Sequence, residues 1–226
     1  MAILRTQIFG KSLIGVYLTA NNSYILYPPT LLIQQLKKFK TIFQESFYPL
    51  TINDSILLGV YTASNKYGII VPHIIKDDEL NKLKEILKEE DDSSQIAILK
   101  SIDNAFGNLI LCNDKGAIIS SFLEDYKKQI EDVLNVETIV YEFADNYLPG
   151  SISLANNNGC LVHPFTTDEE IEYICSILKV KEVDVSTINR GIPYLSSGAI
   201  VNDKNGIFGS DSTGPELMRL TSILDL

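Results

Sequence analysis

The stretch "GSISLANNNGCLVHPFTTDEEIEYICSIL", residues 150–178, decides the fold. It opens on a glycine and carries an asparagine six residues later. A short apolar run, SISLA, meets NNNG, and a second apolar run, CLVHP, follows. Asn and Gly both tolerate positive φ, so the natural reading is two strands joined by a tight hairpin turn. Thr167 and Glu170 then stand at capping-box spacing, and Ile171, Ile174, Cys175 and Leu178 share one helical face. The stretch also holds His163, one of two histidines, and two of the three cysteines. It is therefore either a catalytic site built on His163 or one copy of a structural unit that happens to carry a histidine.

The rest of the chain favours the unit. Asn follows Gly by six residues at Gly15/Asn21, Gly59/Asn65, Gly107/Asn113 and Gly150/Asn156. With 13 Gly and 16 Asn in 226 residues, about one such pair is expected by chance, and a regular period marks a repeat. A looser fifth copy falls near Ser196 to Gly198. Either Asn202 or Asp203 fills its Asn slot, with one residue inserted before Gly206. Each copy reads as an apolar strand (IGVYLT, LLGVYT, GNLILC, GSISLA, SGAIV), a turn, a second apolar strand and an amphipathic helix. Thr167/Glu170, Ser121/Glu124 and Thr213/Glu216 all have capping-box spacing, which makes the box a fold signal rather than a chemical one.

A third strand follows four of the helices: LTIN, QIAILK, ETIVYEF and EVDVST. The fifth helix has none, because the sequence stops at Leu226. Residues 2–8, AILRTQI, precede the first copy and belong to none, so they are expected to supply the missing strand of the fifth. The expectation is an α+β chain of five strand–strand–helix–strand repeats in a single domain over 1–226. The repeats span about 9–53, 54–100, 101–143, 144–190 and 191–226, and the N-terminal strand closes the array as in radial repeat folds.

Bulk composition narrows the function. The net charge of −10 argues against gripping nucleic acid mainly through its phosphates, which requires surplus Lys and Arg. It suits a basic protein partner. Cys112, Cys160 and Cys175 are odd in number and far apart, so neither a zinc ribbon nor a disulfide framework is indicated. The N-terminus lacks the apolar core of a signal peptide, and every apolar run is too short to span a membrane. A soluble cytoplasmic protein without cofactor or metal is expected. Two histidines in different repeats do not make a ligand set.

With these repeats in hand, the chain resembles the archaeal and eukaryotic translation initiation factor 6 family, whose fold is the pentein: five ββαβ units in a pseudo-fivefold α/β propeller. The resemblance rests on "IGVYLTANNSYIL" (14–26), "LLGVYTASNKYGIIVP" (57–72), "AFGNLILCND" (105–114), "NNNGCLVHP" (156–164), "STINRG" (186–191) and "AIVNDKNGIFGSDSTGPEL" (199–217). The order of these motifs is the specific feature. Two departures are AIISS in place of a His-Pro in the third copy, and Ser186 in place of the usual Gly. The resemblance implies a monomeric, non-enzymatic factor. It would bind the large ribosomal subunit on its intersubunit face, through a basic ribosomal protein with rRNA nearby, and block joining of the small subunit. A role in large-subunit biogenesis is a further implication.

Candidate contacts follow. Asn108 lies outside the repeat pattern and would place an amide at one mouth of the disc. By resemblance to the family's "GN" position it is the first candidate for the ribosomal contact, with Gly15 and Gly107 shaping the same surface. Asn189 and Arg190 are the second candidate, equally readable as a plain loop. The competing class is a guanidine-modifying pentein enzyme, or its inactive remnant, working through a C-terminal Cys nucleophile. No Cys follows Cys175, and Cys160 and His163, three apart on a strand, should point to opposite faces. His163 and His73 are therefore read as structural.

Overall fold

The computed structural model describes residues 2–226. It is a mixed α+β structure with five three-stranded sheets. In unit one, Thr19–Ala20 pairs antiparallel with Tyr24–Tyr27, which pairs parallel with Ser46–Pro49. Unit two repeats this with Ala63–Ser64, Gly68–Pro72 and Gln95–Leu99. Unit three uses Ile110–Cys112, Gly116–Ile119 and Glu137–Val140, and unit four Leu154–Ala155, Gly159–Val162 and Glu182–Val185. In unit five, Ala199–Val201 and Asn205–Gly209 are completed by the N-terminal strand Ala2–Thr6, parallel to Asn205–Gly209. The strand that sequence leaves unassigned at one end thus fills the vacancy at the other. The helices are Ile33–Phe39, Asp77–Glu90, Lys127–Leu134, Asp168–Leu178 and Gly214–Ile223.

Middle strands are buried along their whole length in units two to five, so both sheet faces must be covered. Five apolar clusters do this, and each straddles two units. Leu26 and Leu58 share one, Ile70 and Phe106 the next, and Ile118 and Ile152 the third. Leu161 shares the fourth with Leu220, and Ile207 of unit five shares the fifth with Ile25 of unit one. No unit owns a core of its own.

Several details correct the sequence reading. The first apolar run of each unit is not a continuous strand. In four units it begins as a short helical turn, at Ile14–Val16, Leu58–Tyr61, Phe106–Leu109 and Leu195–Gly198, and in unit four as a plain turn at 149–151, with only two or three strand residues after it. Coiling there lets the glycine of one unit lie against the carbonyl of the previous one. A Cβ on Gly59 would stand 1.8 Å from the Gly15 carbonyl oxygen, so only glycine fits. The third strand of unit one is Ser46–Pro49 rather than LTIN, whose Ile52 instead bridges Ser55. Asn202, not Asp203, fills the fifth Asn slot, and no residue is inserted, because Asn205 takes the place of Gly68, Gly116 and Gly159. Ser120, not Ser121, caps the 3-10 turn Ser121–Tyr126 that leads into the unit-three helix, and Ser121 bonds Glu142 instead.

The turns between first and second strands contain no positive φ. Asparagine is there for its four hydrogen-bonding sites. Asn113 Oδ1 accepts from the amides of Lys115 and Gly116, at 2.8 and 2.9 Å. Its Nδ2 donates to the carbonyls of Asn156 (3.1 Å) and Leu178 (2.9 Å) in the next unit. Asn65 and Asn156 repeat the pattern toward Asn113 and Leu134, and toward Asn202 and Leu224. Positive φ occurs instead between units, at Phe9–Gly10, Asn53–Asp54, Ala144–Asp145 and Asn189–Gly191. There the capping-box glutamates do double service. Glu79 accepts from the amides of Lys76, Asn53 and Asp54. Glu170 accepts from Thr167 and Ala144, and Glu216 from Thr213, Arg190 and Gly191. Each caps its own helix and clasps the turn that enters its unit.

Two predictions follow. Asn113→Asp keeps both acceptors and loses both donors, whereas the Nδ2 of Asn202 is buried without a partner among the described residues. Asn113→Asp should therefore destabilise by about 2 kcal/mol more than Asn202→Asp, measured by urea unfolding; equal losses would refute the role assigned to the amide. Burial opposes ionisation of Glu216, but bonds donated by Thr213, Gly191 and Thr187 outweigh it and bring its pKa from 4.5 to about 2. A depressed folded-state pKa stabilises above the unfolded value and loses that contribution as pH falls toward 2. Glu216→Gln should cost about 1–2 kcal/mol at neutral pH, allowing for partial exposure. That penalty should shrink as pH falls from 4.5 toward about 2; a pH-independent penalty would rule out the charge as its source.

Candidate functional site

The two ends of the molecule differ. One end gathers the Asn turns and the C-termini of the helices. At its centre Asn22 and Asn157 each donate to both Asp114 Oδ2 and Asp203 Oδ2, at 2.7–2.9 Å. The outer carboxylate oxygens accept the amides of Lys66 and Asn157. The side-chain amides and carboxylates of this cluster are all paired inside the protein, and residues of the cluster line a cavity of about 40 Å³. Nothing in the repeat pattern foretold it, because the residue after the Asn slot differs from unit to unit: Asn22, Lys66, Asp114, Asn157 and Asp203.

The opposite end gathers the short helical turns, the inter-unit turns and the helix N-termini. A central cavity of about 140 Å³ is lined there by Gly15, Gly59, Gly107, Gly150 and Ser196. Gly15 lies against the Ser196 carbonyl, Gly107 against Gly59 and Gly150 against Gly107, each within what would be 2.4 Å of an added Cβ. Gly15 and Gly107 thus set the depth of this face through packing. Next to these glycines stand Val16, Val60, Asn108, Ser151 and Ser197. Asn108 alone carries an amide. Its backbone is fixed, with N–H donating to Ala105 and C=O accepting from Ser151. It sits in the Phe106–Leu109 turn rather than at the start of a strand. Its side chain is half-buried and has no protein partner among the described residues.

Asn189 and Arg190 occupy the inter-unit turn before unit five, with φ of 52° and 66°. Asn189 is buried; its Nδ2 donates to the Ser12 carbonyl and its Oδ1 accepts from Ser212. Its amide is committed internally, so Arg190, which is exposed, is the outward member of the pair. Asn108, Gly107, Gly15 and Arg190 all belong to this one end.

His163 ends a middle strand. Its Nδ1 accepts from the Phe165 amide at 3.1 Å and its carbonyl accepts from Thr166, while burial lowers its pKa. This is a local turn bond, and it is unrelated to Cys160. The Cys160 thiol is fully buried in an apolar cluster and bonds the Leu161 carbonyl. Burial, with Cys175 nearby, drives its pKa far above the ordinary thiol value, and burial likewise pushes Cys112 up to about 12. A nucleophilic thiolate requires the opposite shift. Among the described residues no group of three or more His, Cys, Asp or Glu is arranged to hold a metal ion, and no helix is long and apolar enough to cross a membrane.

Comparison with known proteins agrees in extent with the resemblance. The model of the eIF-6 family matches residues 3–223. Translation initiation factor 6 of Methanococcus vannielii is 39% identical over 224 residues, covering 99% of both chains. The same factor from Staphylothermus marinus is 37% identical over 221 residues, covering 97% of this chain and 96% of that one. That from Pyrobaculum arsenaticum is 34% identical over 223 residues, covering 98% of each. With matches that run through all five units, the chain belongs to the eIF-6 family.

Proposed function

We propose that this protein is a non-enzymatic translation initiation factor that binds the large ribosomal subunit and blocks joining of the small subunit. The end-to-end family match carries this reading, since the relatives it aligns with are translation initiation factors 6. We place the contact on the glycine-lined end. Asn108 offers an unused amide there, Gly15 and Gly107 keep the surface low enough for close approach, and Arg190 stands at its rim. Asn189 holds the Arg190 turn in shape. The acidic balance favours a basic ribosomal protein over rRNA as the principal partner. A further role in maturation of the same subunit fits a factor that covers its joining face.

The same proposal includes the architecture. One domain spans the chain, and its five units form a pentein propeller. The supporting contacts are the shared cluster of units five and one, the pairing of Ala2–Thr6 with Asn205–Gly209, and the approach of Gly15 to Ser196. The protein acts as a monomer in the cytoplasm.

Sedimentation with purified ribosomal subunits tests the function. The protein should migrate with the large subunit alone and reduce the joined particle; unaffected joining would overturn the reading. Asn108→Ala should weaken binding by about 1–3 kcal/mol, the range for a lost buried hydrogen bond, with thermal unfolding unchanged. Wild-type affinity in that variant would remove Asn108 from the contact.

A further inference from the structure

The glycine-lined end is not uniform, and one quadrant of it has the composition of a protein-docking hot spot. Phe122, in the 3-10 turn that precedes the unit-three helix, stacks on Tyr147, in the turn leading to unit four, with centroids 5.5 Å apart and planes 14° apart. Both rings remain about half exposed, at 51% and 54%, and Ile102 on the adjoining loop is 96% exposed. Large apolar side chains left this open are most easily explained by something that covers them.

The supports beneath them are rigid. Ser120 caps the Phe122 amide, and its own N–H bonds the Leu109 carbonyl. Asn146 Oδ1 accepts from the Leu148 amide, while Leu148 packs with Phe106 and Leu109. Ser151 N–H bonds the Asn108 carbonyl. The stacked pair is thus tied to both sides of the Asn108 turn. Rings held in place before binding lose little freedom on contact, which favours them as anchors.

Charge identifies the occupant. Residues 101–109, 119–126 and 141–153, which build this quadrant, contain no Lys or Arg, while Asp103, Glu124 and Asp145 lie exposed among them. The inter-unit turns before units one and five bring a cation, at Lys11 and Arg190, and in unit two Lys76, at the helix start, pairs with Asp54 of the turn. Resting on the ribosome-binding reading above, we infer that the Phe122–Tyr147 quadrant is the anchor of the contact. Its partner is a basic protein surface that lays an aliphatic or guanidinium group on the rings and places further cations against the acidic rim. Phosphates would be repelled by the acidic rim, which favours protein over RNA as the partner of this quadrant.

The test uses the full chain and purified large subunits, with folding checked by circular dichroism and thermal unfolding. Phe122→Ala/Tyr147→Ala should raise Kd at least about tenfold, mainly through faster dissociation. Asp103→Lys/Asp145→Lys should slow association and flatten its salt dependence. Wild-type affinity in both variants would overturn the inference while leaving the ribosome reading intact. Tighter binding by the lysine variant would also overturn it, by showing that phosphate lies opposite this quadrant. Failure of the wild-type protein to bind would instead overturn the ribosome reading, and the inference with it. Should loss of the rings disturb folding, the lysine pair, at exposed loop positions, decides the question alone.

Discussion

A side-chain amide in each of units two, three and four holds this structure in register. Asn65, Asn113 and Asn156 each shape their own turn with Oδ1 and reach with Nδ2 to the next turn and the end of the next helix. All four hydrogen-bonding sites of the amide are used in burial, where an unmet one would be costly. The three middle glycines Gly68, Gly116 and Gly159 serve the same joint. Each lies against a carbonyl of the neighbouring helix end, and a Cβ on Gly116 would come within 2.0 Å of Ile177 O. Because each apolar cluster is shared by two units, neither the cores nor the turns can form independently of the joints. Stability is consequently a property of the array, as in other repeat architectures.

That logic explains what could be read in advance. An interaction made once per unit demands the same residue types at the same spacing, and Gly–x₅–Asn stood out for that reason. The capping boxes at Thr167/Glu170 and Thr213/Glu216 were legible for the same cause. What failed were inferences from local propensity. The asparagines suggested positive φ but adopt none, since their side chains, not their backbones, make the turn. The apolar runs beginning at Gly15, Gly59 and Gly107 read as strands, because periodicity cannot distinguish a buried four-residue coil from a buried strand. The second service of Glu79, Glu170 and Glu216 was invisible, because the turns they clasp lie some 25 residues upstream.

The candidate site was legible in a different way. Asn108 attracted notice because it breaks a pattern, with valine or serine at its equivalents, and the structure leaves its amide unused. Gly15 and Gly107 obeyed the pattern, and their role proves to be the pattern's own packing. Asn189 looked outward in sequence because it neighbours Arg190, yet its side chain turns in to Ser12 and Ser212. Phe122 and Tyr147 gave no signal. Each is a single aromatic in a polar stretch, and only the fold brings the rings together, across the junction of two units.

Repetition itself limits where a specific partner can be recognised. Contacts that recur from unit to unit are spent on holding neighbours together, and a surface built from them would offer the same features at every unit. Specificity must therefore reside where units differ on an exposed face. At the Asn-turn end four of the five differing residues, Asn22, Asp114, Asn157 and Asp203, bind one another through their side chains, and only Lys66 stands exposed. At the glycine-lined end they do not. Asn108 keeps an unpaired amide, and Phe122 and Tyr147 keep half their surface beside the acidic residues Asp103, Glu124 and Asp145. On the ribosome-binding reading proposed above, the joint that makes the array rigid also leaves the glycine-lined end to meet a partner, and the departures from repetition mark which part of that end does so.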